Sequence, residues 1–248
     1  MVHAAPTPPH PALLRSHLSD HLDLAEVTDD AIGARVVTLR AADTGGHRSS
    51  AQILVHRMYA TRGYKTSTEA SAEASAAPNV VTLLALDQGE TIGTISISLD
   101  TPRGLLADEL FRDELDALRA QGRRLCEFTK LAMDHVVKSR RVLASLFHAA
   151  YIWSHLRLGF SDVVIEVNPR HVRYYARMLG FAVAGPQRVN RRVDAPAVLM
   201  RLDFDHARGQ IERFAGKPAS NDERSLYPFF FSAKEEAGIA ARLPVSTP

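Results

Sequence analysis

A mixed α/β fold, in which helices cover both faces of one central sheet, is the architecture that the 248-residue sequence predicts. Two patterns indicate it: an antiparallel hairpin in the first half, and alternating strand and helix patterns in the second half. The composition agrees, because 46% hydrophobic and 23% charged residues are typical of a domain with a full core. The single cysteine, Cys126, excludes a disulfide scaffold and a cysteine-rich metal site.

The first half contains two β-branched runs joined by a short connection at residues 87–90 that includes a glycine, which is a hairpin pattern. Apolar residues at helical spacing predict a helix before and a helix after this hairpin, and Gly122 closes the second one. The stretch 66–78 is rich in Ser, Ala and Glu and is predicted to be a loop. The predicted strands are 34–40, 80–86 and 91–99, and the predicted helices are 48–59 and 105–120.

The second half alternates between strands at 125–133, 162–167, 181–184 and 197–204 and helices at 142–158 and 170–179. From these patterns we expect three parts of the chain. An N-terminal arm at 1–30 is expected to be partly disordered, because its Pro and small residues bury little apolar surface. The main domain is expected at 31–205, and a C-terminal extension at 206–248 is expected to pack on it through an aromatic cluster at 227–231.

The charge distribution is uneven although the net charge is only +2. Residues 119–192 contain 14 Lys and Arg against 4 Asp and Glu. Such a basic block suggests an acidic partner, namely the phosphates of a cofactor, a nucleic acid or an acidic protein, although it also fits charge scattered over a solvated surface.

The sequence gives no pattern for secretion or membrane insertion. Residues 1–11 lack the basic and apolar regions of a signal peptide, and no apolar run approaches the roughly 20 residues that a membrane span needs. We therefore expect a cytoplasmic protein.

Glu127 is the first candidate catalytic residue, because it interrupts the apolar strand at 125–133. A buried carboxylate is costly, and burial raises its pKa toward the range of a general base. The alternative is an ion pair with Lys130 or with an Arg on a neighbouring strand.

Two further features follow the strands of the second half. Asn168 ends the strand at 162–167, and Tyr175 lies on the helix after it, where it could protonate a leaving thiolate or simply pack. The turn before the helix at 142–158 carries Lys138, Arg140 and Arg141, and a helix start with three cations suits a phosphate as well as a solvated turn. We find no metal-ligand spacing, no phosphate-binding glycine loop and no nucleophile elbow.

Together, these motifs resemble the GNAT acyltransferase superfamily over residues 34–204, including the run Tyr-Ala-Arg-Met-Leu-Gly-Phe at 175–181. An ordinary GNAT enzyme wraps the pyrophosphate of coenzyme A with a glycine loop, but no glycine occurs between Met133 and Leu143, and Tyr175 lies one residue farther from Gly180 than usual. The sequence is more similar to the FeeM-type long-chain N-acyl amino acid synthases, which are related to the acyl-homoserine lactone synthases. The segments of this resemblance are 55–59, 62–64, 92–100, 111–119, 126–131, 164–171 and 226–230.

The resemblance implies a mostly antiparallel sheet whose fourth and fifth strands, at 125–133 and 162–167, splay apart to admit an acyl thioester. It implies that Glu127 is the general base, that Arg57 orders the N-terminal segment over the site, and that Lys130 replaces a functional Arg. The acceptor pocket is expected to include Arg57, Tyr64 and Phe128, with Asn168 at the edge of the cleft, and a strand N–H near Leu131 is expected to polarise the thioester carbonyl.

The implied reaction moves a fatty acyl group from acyl carrier protein, or from acyl-CoA as co-substrate, to the α-amine of an amino acid. No permanently bound cofactor is implied, and the acylated product would be able to associate with membranes. An acyl carrier protein is acidic, and the basic residues expected to flank the cleft mouth are Lys138, Arg140, Arg141, Arg170 and Arg173.

Three other functions stay open at this point. The chain could be an acetyl-CoA-dependent N-acetyltransferase of small amines or protein termini, against which the missing glycines count. It could be a non-catalytic sensor that binds acyl carrier protein or acyl ligands. Nucleic-acid binding has less support, since the basic block lacks interleaved aromatics and any known binding motif.

Overall fold

The computed structural model describes residues 23–29, 35–42, 44–61, 63, 77, 79–134, 139–217 and 224–243. Within these residues, eight strands follow one another across a central sheet in the order β1-β2-β3-β4-β5-β6-β9-β7, and β8 pairs with β9 beside them. The strands are β1 Asp23–Asp29, β2 Arg35–Ala41, β3 Val80–Asp87, β4 Glu90–Leu99, β5 Leu125–Met133, β6 Asp162–Val167, β7 Ala182–Val183, β8 Arg188–Asn190 and β9 Ala195–Asp203. Among the described strands only β5 and β6 pair in parallel, so the predicted mixed α/β fold with a mostly antiparallel sheet is confirmed.

Six α-helices lie in the described part of the chain. A 3₁₀ turn at Pro169–His171 leads directly into the helix that follows it, and another at Tyr227–Phe229 precedes the last helix after a short connection. The helix at Arg140–Tyr151 continues as a π-helical segment, Ile152–Arg157, where the sequence predicts one uninterrupted helix. The helices are α1 Gly45–Ala60, α2 Asp108–Ala120, α3 Arg140–Tyr151, α4 Val172–Leu179, α5 Phe204–Phe214 and α6 Ala233–Arg242.

The predicted hairpin is present as β3 and β4. Its two-residue turn places Gln88 at φ 51° and Gly89 at φ 87°, and positive φ at both turn positions matches the right-handed twist of the paired strands. The predicted loop at 66–78 lies outside the described residues except for Ala77.

The two faces of the sheet have different coverings. Val142 and Leu146 of α3 pack in the main core with Cys126, and α4, α5 and α6 add residues to the same core. On the other face, α2 packs on Leu125, and α1 packs on Ala132 and Leu84. We call these the α3 face and the α1 face. Because side chains alternate along a strand, Leu125 and Cys126 point to opposite faces.

A β-bulge interrupts the pairing of β4 with β5. Ser96 is opposite Thr129 and Thr94 is opposite Ala132, so one residue of β4 faces two residues of β5. Lys130, one of these two, has φ 52° in the left-handed region that favours glycine.

Residues after β9 form further contacts with the core. Tyr227, Phe230 and Phe231 are buried in the main core, and His148 of α3 stacks on both phenylalanine rings. The Nδ1 atom of His148 accepts the Phe231 N–H at 2.9 Å, and its Nε2 atom lies 2.7 Å from the Glu236 carboxylate. These bonds fasten α6 to α3.

The structure differs from the sequence-based expectation at Asp23–Asp29, which form strand β1 although residues up to 30 were expected to be an arm. Leu24 and Val27 of β1 are buried, and β1 pairs antiparallel with β2. The segment has few apolar residues of its own, so its structure depends on a neighbouring strand rather than on local propensity.

Candidate active site

A fork between β5 and β6 forms the centre of the site. The two strands pair in parallel at three positions, Leu125 with Asp162, Cys126 with Val163 and Glu127 with Val164. Beyond Glu127 the pairing ends, although β5 continues to Met133 and β6 to Val167. The splay that the resemblance implies for strands 125–133 and 162–167 is therefore present between β5 and β6, and Glu127 lies at its apex.

The closed end of the fork is fixed by buried charges. Asp162 has no exposed side-chain surface, and it accepts hydrogen bonds from Arg123 and Arg201, each at 2.5 Å. Burial alone would raise the pKa of Asp162, but these two guanidinium groups lower it, so the carboxylate stays charged.

Glu127 is 1% exposed and lies on the α1 face, since its neighbours Cys126 and Phe128 pack in the core of the α3 face. Its Oε2 atom accepts the backbone N–H of Ala107 at 3.2 Å. Burial, together with the charge of Glu166, raises the pKa of Glu127 to about 8. Among the described residues Glu127 has no ion-pair partner; the Ala107 N–H and the charge of Arg192 lower its pKa, but burial outweighs them.

Glu166 of β6 is a second carboxylate, with 10% of its side chain exposed, whose charge acts on Glu127, and it is not among the site residues that the sequence predicts. Asn190 donates to its Oε2 at 2.5 Å, and Arg192 donates to its Oε1 at 2.9 Å. Burial raises the pKa of Glu166, while the Arg192 charge opposes that change. The pattern that singled out Glu127, an acidic residue inside an apolar strand, also fits Glu166.

Arg119 holds the connection between β4 and α2, which covers Glu127. Its guanidinium donates to Asp100 at one end of this connection and to Asp108 at the other, at 2.7 Å in each case. Asp108 in turn accepts the Leu105 N–H at 2.6 Å. These contacts keep the Ala107 N–H directed at Glu127.

The α1 face of the sheet is polar between Glu127 and Lys130. Ser98 is opposite Glu127, and Ser96 is opposite Thr129 and lies 2.7 Å from the Thr82 hydroxyl. Lys130 lines a cavity at the end of this polar strip, and burial lowers its pKa to about 8.

Three of the predicted site residues, Phe128, Leu131 and Tyr175, pack against apolar or aromatic side chains. Phe128 packs against Phe204 on the α3 face, with ring centroids 6.5 Å apart, and so does not share a face with Glu127. Leu131 also packs against that core. Tyr175 is half-buried on α4, between the rings of Phe147 and Phe181 at 6.5 and 6.0 Å. 

At the open end of the fork, Arg57 pairs with Asp134 just after β5, at 2.5 Å. Asn168 follows β6 and accepts the Arg170 N–H at 3.2 Å, which starts the short helical turn before α4.

The predicted basic residues are not all at the cleft mouth. Arg141 donates to the carbonyls of Phe229 and Phe230, at 2.9 and 3.2 Å, and so binds the C-terminal extension instead. Arg140, Arg170 and Arg173 are exposed. Tyr64 and Lys138 lie outside the described residues.

In the described ranges, no group of three or more His, Cys, Asp or Glu could hold a metal ion. None of the helices described is both long enough and apolar enough to cross a membrane.

Solved structures with the same fold include acyltransferases. The structure of FeeM, an N-acyl amino acid synthase from uncultured soil microbes, matches with a TM-score of 0.65 and 30% identity, over 70% of this chain and 93% of that one. A protein from Lactobacillus plantarum assigned to the N-acetyltransferases matches with a TM-score of 0.50 and 15% identity, over 67% of this chain and 97% of its own. The fold and the fork thus define an N-acyltransferase of the GNAT type.

The family model of the N-acyl amino acid synthase FeeM matches residues 50–203, which is more than half of the chain. The chain belongs to this family of N-acyl amino acid synthases. Among the curated proteins, none matches it.

Proposed function

We propose that this N-acyltransferase moves a long-chain fatty acyl group from acyl carrier protein to the α-amine of an amino acid, with Glu127 as the general base. The observation that most supports this is the position of Glu127. It is a buried carboxylate with a raised pKa, and it lies where the pairing of two parallel strands ends, which is where the proposed thioester would enter.

In the proposed reaction the acceptor enters as a free amine and attacks the thioester carbonyl. A C–N bond forms, the C–S bond breaks, and no covalent enzyme intermediate is involved. Glu127 takes the amine proton, directly or through one water, and backbone N–H groups beyond the apex, near Leu131, stabilise the oxyanion. Tyr175, on the helix that follows the other arm of the fork, is the proposed proton donor to the thiolate.

The proposed donor is supported by the family and by surface charge. Arg140, Arg170 and Arg173 are exposed at the starts of α3 and α4, beside the open end of the fork. A basic rim of this kind steers an acidic carrier protein toward the cleft.

Mass spectrometry of reaction products tests the proposal. Palmitoyl-loaded carrier protein, palmitoyl-CoA and acetyl-CoA are offered separately, each with a mixture of the twenty amino acids. We expect N-palmitoyl amino acids from the carrier-protein donor, and loss of that product with Glu127→Gln. Acetylated product alone would instead identify an acetyl-CoA-dependent enzyme, and carrier-protein binding without any product would identify a sensor.

A further inference from the structure

The 226–231 segment of the C-terminal extension contacts two helices on the α3 face of the sheet, α3 and α4. Strand β5 precedes α3 and strand β6 precedes α4, so each helix follows one arm of the fork. The segment is deeply buried, since Leu226, Tyr227 and Phe231 are each at most 2% exposed. It therefore lies where it can join the two helices to each other.

Two hydrogen bonds connect the segment to the end of α4. The Tyr227 hydroxyl donates to the Leu179 carbonyl at 2.7 Å, and the Leu226 N–H donates to the Met178 carbonyl at 2.9 Å. Met178 and Leu179 are the last two residues of α4, and carbonyls in the last turn of a helix need partners from outside the helix. Both bonds are buried, so breaking them leaves a polar group without a partner, which is costly.

Three hydrogen bonds connect the segment to α3. Arg141 donates to the carbonyls of Phe229 and Phe230, at 2.9 and 3.2 Å, and His148 accepts the Phe231 N–H. Arg141 and His148 are seven residues apart, which is about 10 Å along a helix. The segment thus holds α3 over nearly two turns.

The two helices belong to different parts of the sheet. The fork divides the sheet into a part that ends with β5 and a part that begins with β6, and the strands on its two sides pair at three positions, the last of them at Glu127. Helix α3 packs on β1 to β4 in the first part, and α4 packs on β9 in the second. When the arms separate, the two parts of the sheet and their helices move apart.

The 226–231 segment opposes this movement, because it is bonded to a helix on each side of the fork. The position of Tyr175 on α4 also depends on the spacing of the two helices, since its ring meets the edge of Phe147 of α3 at 6.5 Å. The spacing of α3 and α4 therefore affects both the fork and the proposed proton donor.

We infer that the 226–231 segment limits how far the arms of the fork separate around the acyl thioester, with Arg141 and Tyr227 as its positioning residues. This inference rests on the proposed function, because it requires the thioester to enter the fork. It predicts that the enzyme discriminates against acyl groups that are wide next to the thioester.

The test compares two acyl-pantetheine donors with the same chain length, octanoyl and 2-methyloctanoyl, with the amino acid that the enzyme accepts. One added methyl group changes kcat/KM by about 10- to 200-fold in a fitted site, and we expect the wild type to prefer the straight chain by a factor in this range. The intrinsic reactivities of the two donors are the same for every variant, so a change in the preference reports a change in the site.

Variants at the two helices should weaken this preference. Tyr227→Phe keeps the buried ring but removes the bond to Leu179, and Arg141→Gln removes the bonds to the Phe229 and Phe230 carbonyls. Each should lower the preference by about 3- to 10-fold, which is the usual contribution of a hydrogen bond, and leave the KM of the amino acid nearly unchanged. Arg141→Lys keeps a charged donor and should keep most of the preference.

Arg242→Gln is the matched control. Arg242 of α6 donates to the Leu24 carbonyl of β1 at 2.6 Å, so this variant also removes a bond between the extension and the domain, but at neither α3 nor α4. It should leave the preference unchanged even where its melting temperature falls as far as that of Tyr227→Phe.

An unchanged preference in Tyr227→Phe and Arg141→Gln, an equal fall in Arg242→Gln, or a wild type without any preference would overturn the inference and leave the acyltransferase function in place. Tyr227→Phe alone decides this if Arg141→Gln does not fold. Absence of product with every donor would overturn the proposed function, and this inference with it.

Discussion

The proton affinity of Glu127 leads to a quantitative prediction about pH. A general base must be ionised, and the pKa of Glu127 is raised to about 8 by burial and by the charge of Glu166. At pH 7, one unit lower, about a tenth of the Glu127 side chains are ionised. The value of kcat should therefore rise about tenfold between pH 7 and a plateau that begins near pH 9, with half of the plateau value at about pH 8. Glu127→Gln should lower kcat by about 10²–10⁴-fold.

Substitution of either of two residues near Glu127 should shift the acidic limb of the pH profile of kcat, and the two shifts should have opposite directions. Glu166→Gln removes a negative charge that raises the pKa of Glu127, so the limb should shift to lower pH, and kcat at pH 7 should increase by at most about tenfold. Arg192→Gln removes a positive charge that lowers that pKa, so the limb should shift to higher pH.

The assay is thiol release from the acyl donor, measured from about pH 6 to 9 at saturating acceptor, since kcat then reports groups in the enzyme–substrate complex. Shifts of the same sign in Glu166→Gln and Arg192→Gln would refute the electrostatic explanation. A wild-type profile in Glu127→Gln would refute its role as the base.

Three further predictions concern stability and partners. Arg119→Ala leaves the buried Asp108 without its cation and should cost about 3–5 kcal/mol in urea unfolding, whereas Arg208→Ala, in an exposed pair, should have little effect. Burial lowers the pKa of His148, so the unfolded chain binds a proton first, and the free energy of unfolding should fall as the pH drops below about 6.5. His148→Gln should lack that part of the slope, and an identical slope in both proteins would contradict this assignment. Arg170→Glu/Arg173→Glu should raise the KM for acyl carrier protein about tenfold at low salt but not that for palmitoyl-pantetheine, and equal effects on both donors would argue against docking there.

Local sequence patterns predicted the elements that form the fork. The strands predicted at Leu125–Met133 and Asp162–Val167 have the same bounds in the structure as in the prediction. Glu127 could be found because a carboxylate inside an apolar run needs a special environment. Glu166 is also a carboxylate inside an apolar run, so the same pattern identifies it. Side chains alternate along a strand, and this alone predicts that Phe128 lies on the face opposite Glu127.

Other features depend on contacts between distant parts of the chain. The bulge at Lys130 arises from the register of β5 against β4, which no local pattern specifies. Arg141 is a basic residue at a helix start, but carbonyls 88 and 89 residues later bind it. Strand β1 likewise forms because β2 is available to pair with it.

The fork has a rigid apex and two arms without mutual hydrogen bonding beyond it. The buried pairs of Asp162 fix the apex, and Glu127 is the last residue joined to the opposite strand. When acyl chains of different length or bulk enter, the unpaired parts of β5 and β6 are the part of the sheet that can move apart. In the proposed reaction Glu127 would therefore keep its place relative to the reacting carbon, so chain length should alter how tightly a donor binds more than how fast its bound thioester reacts.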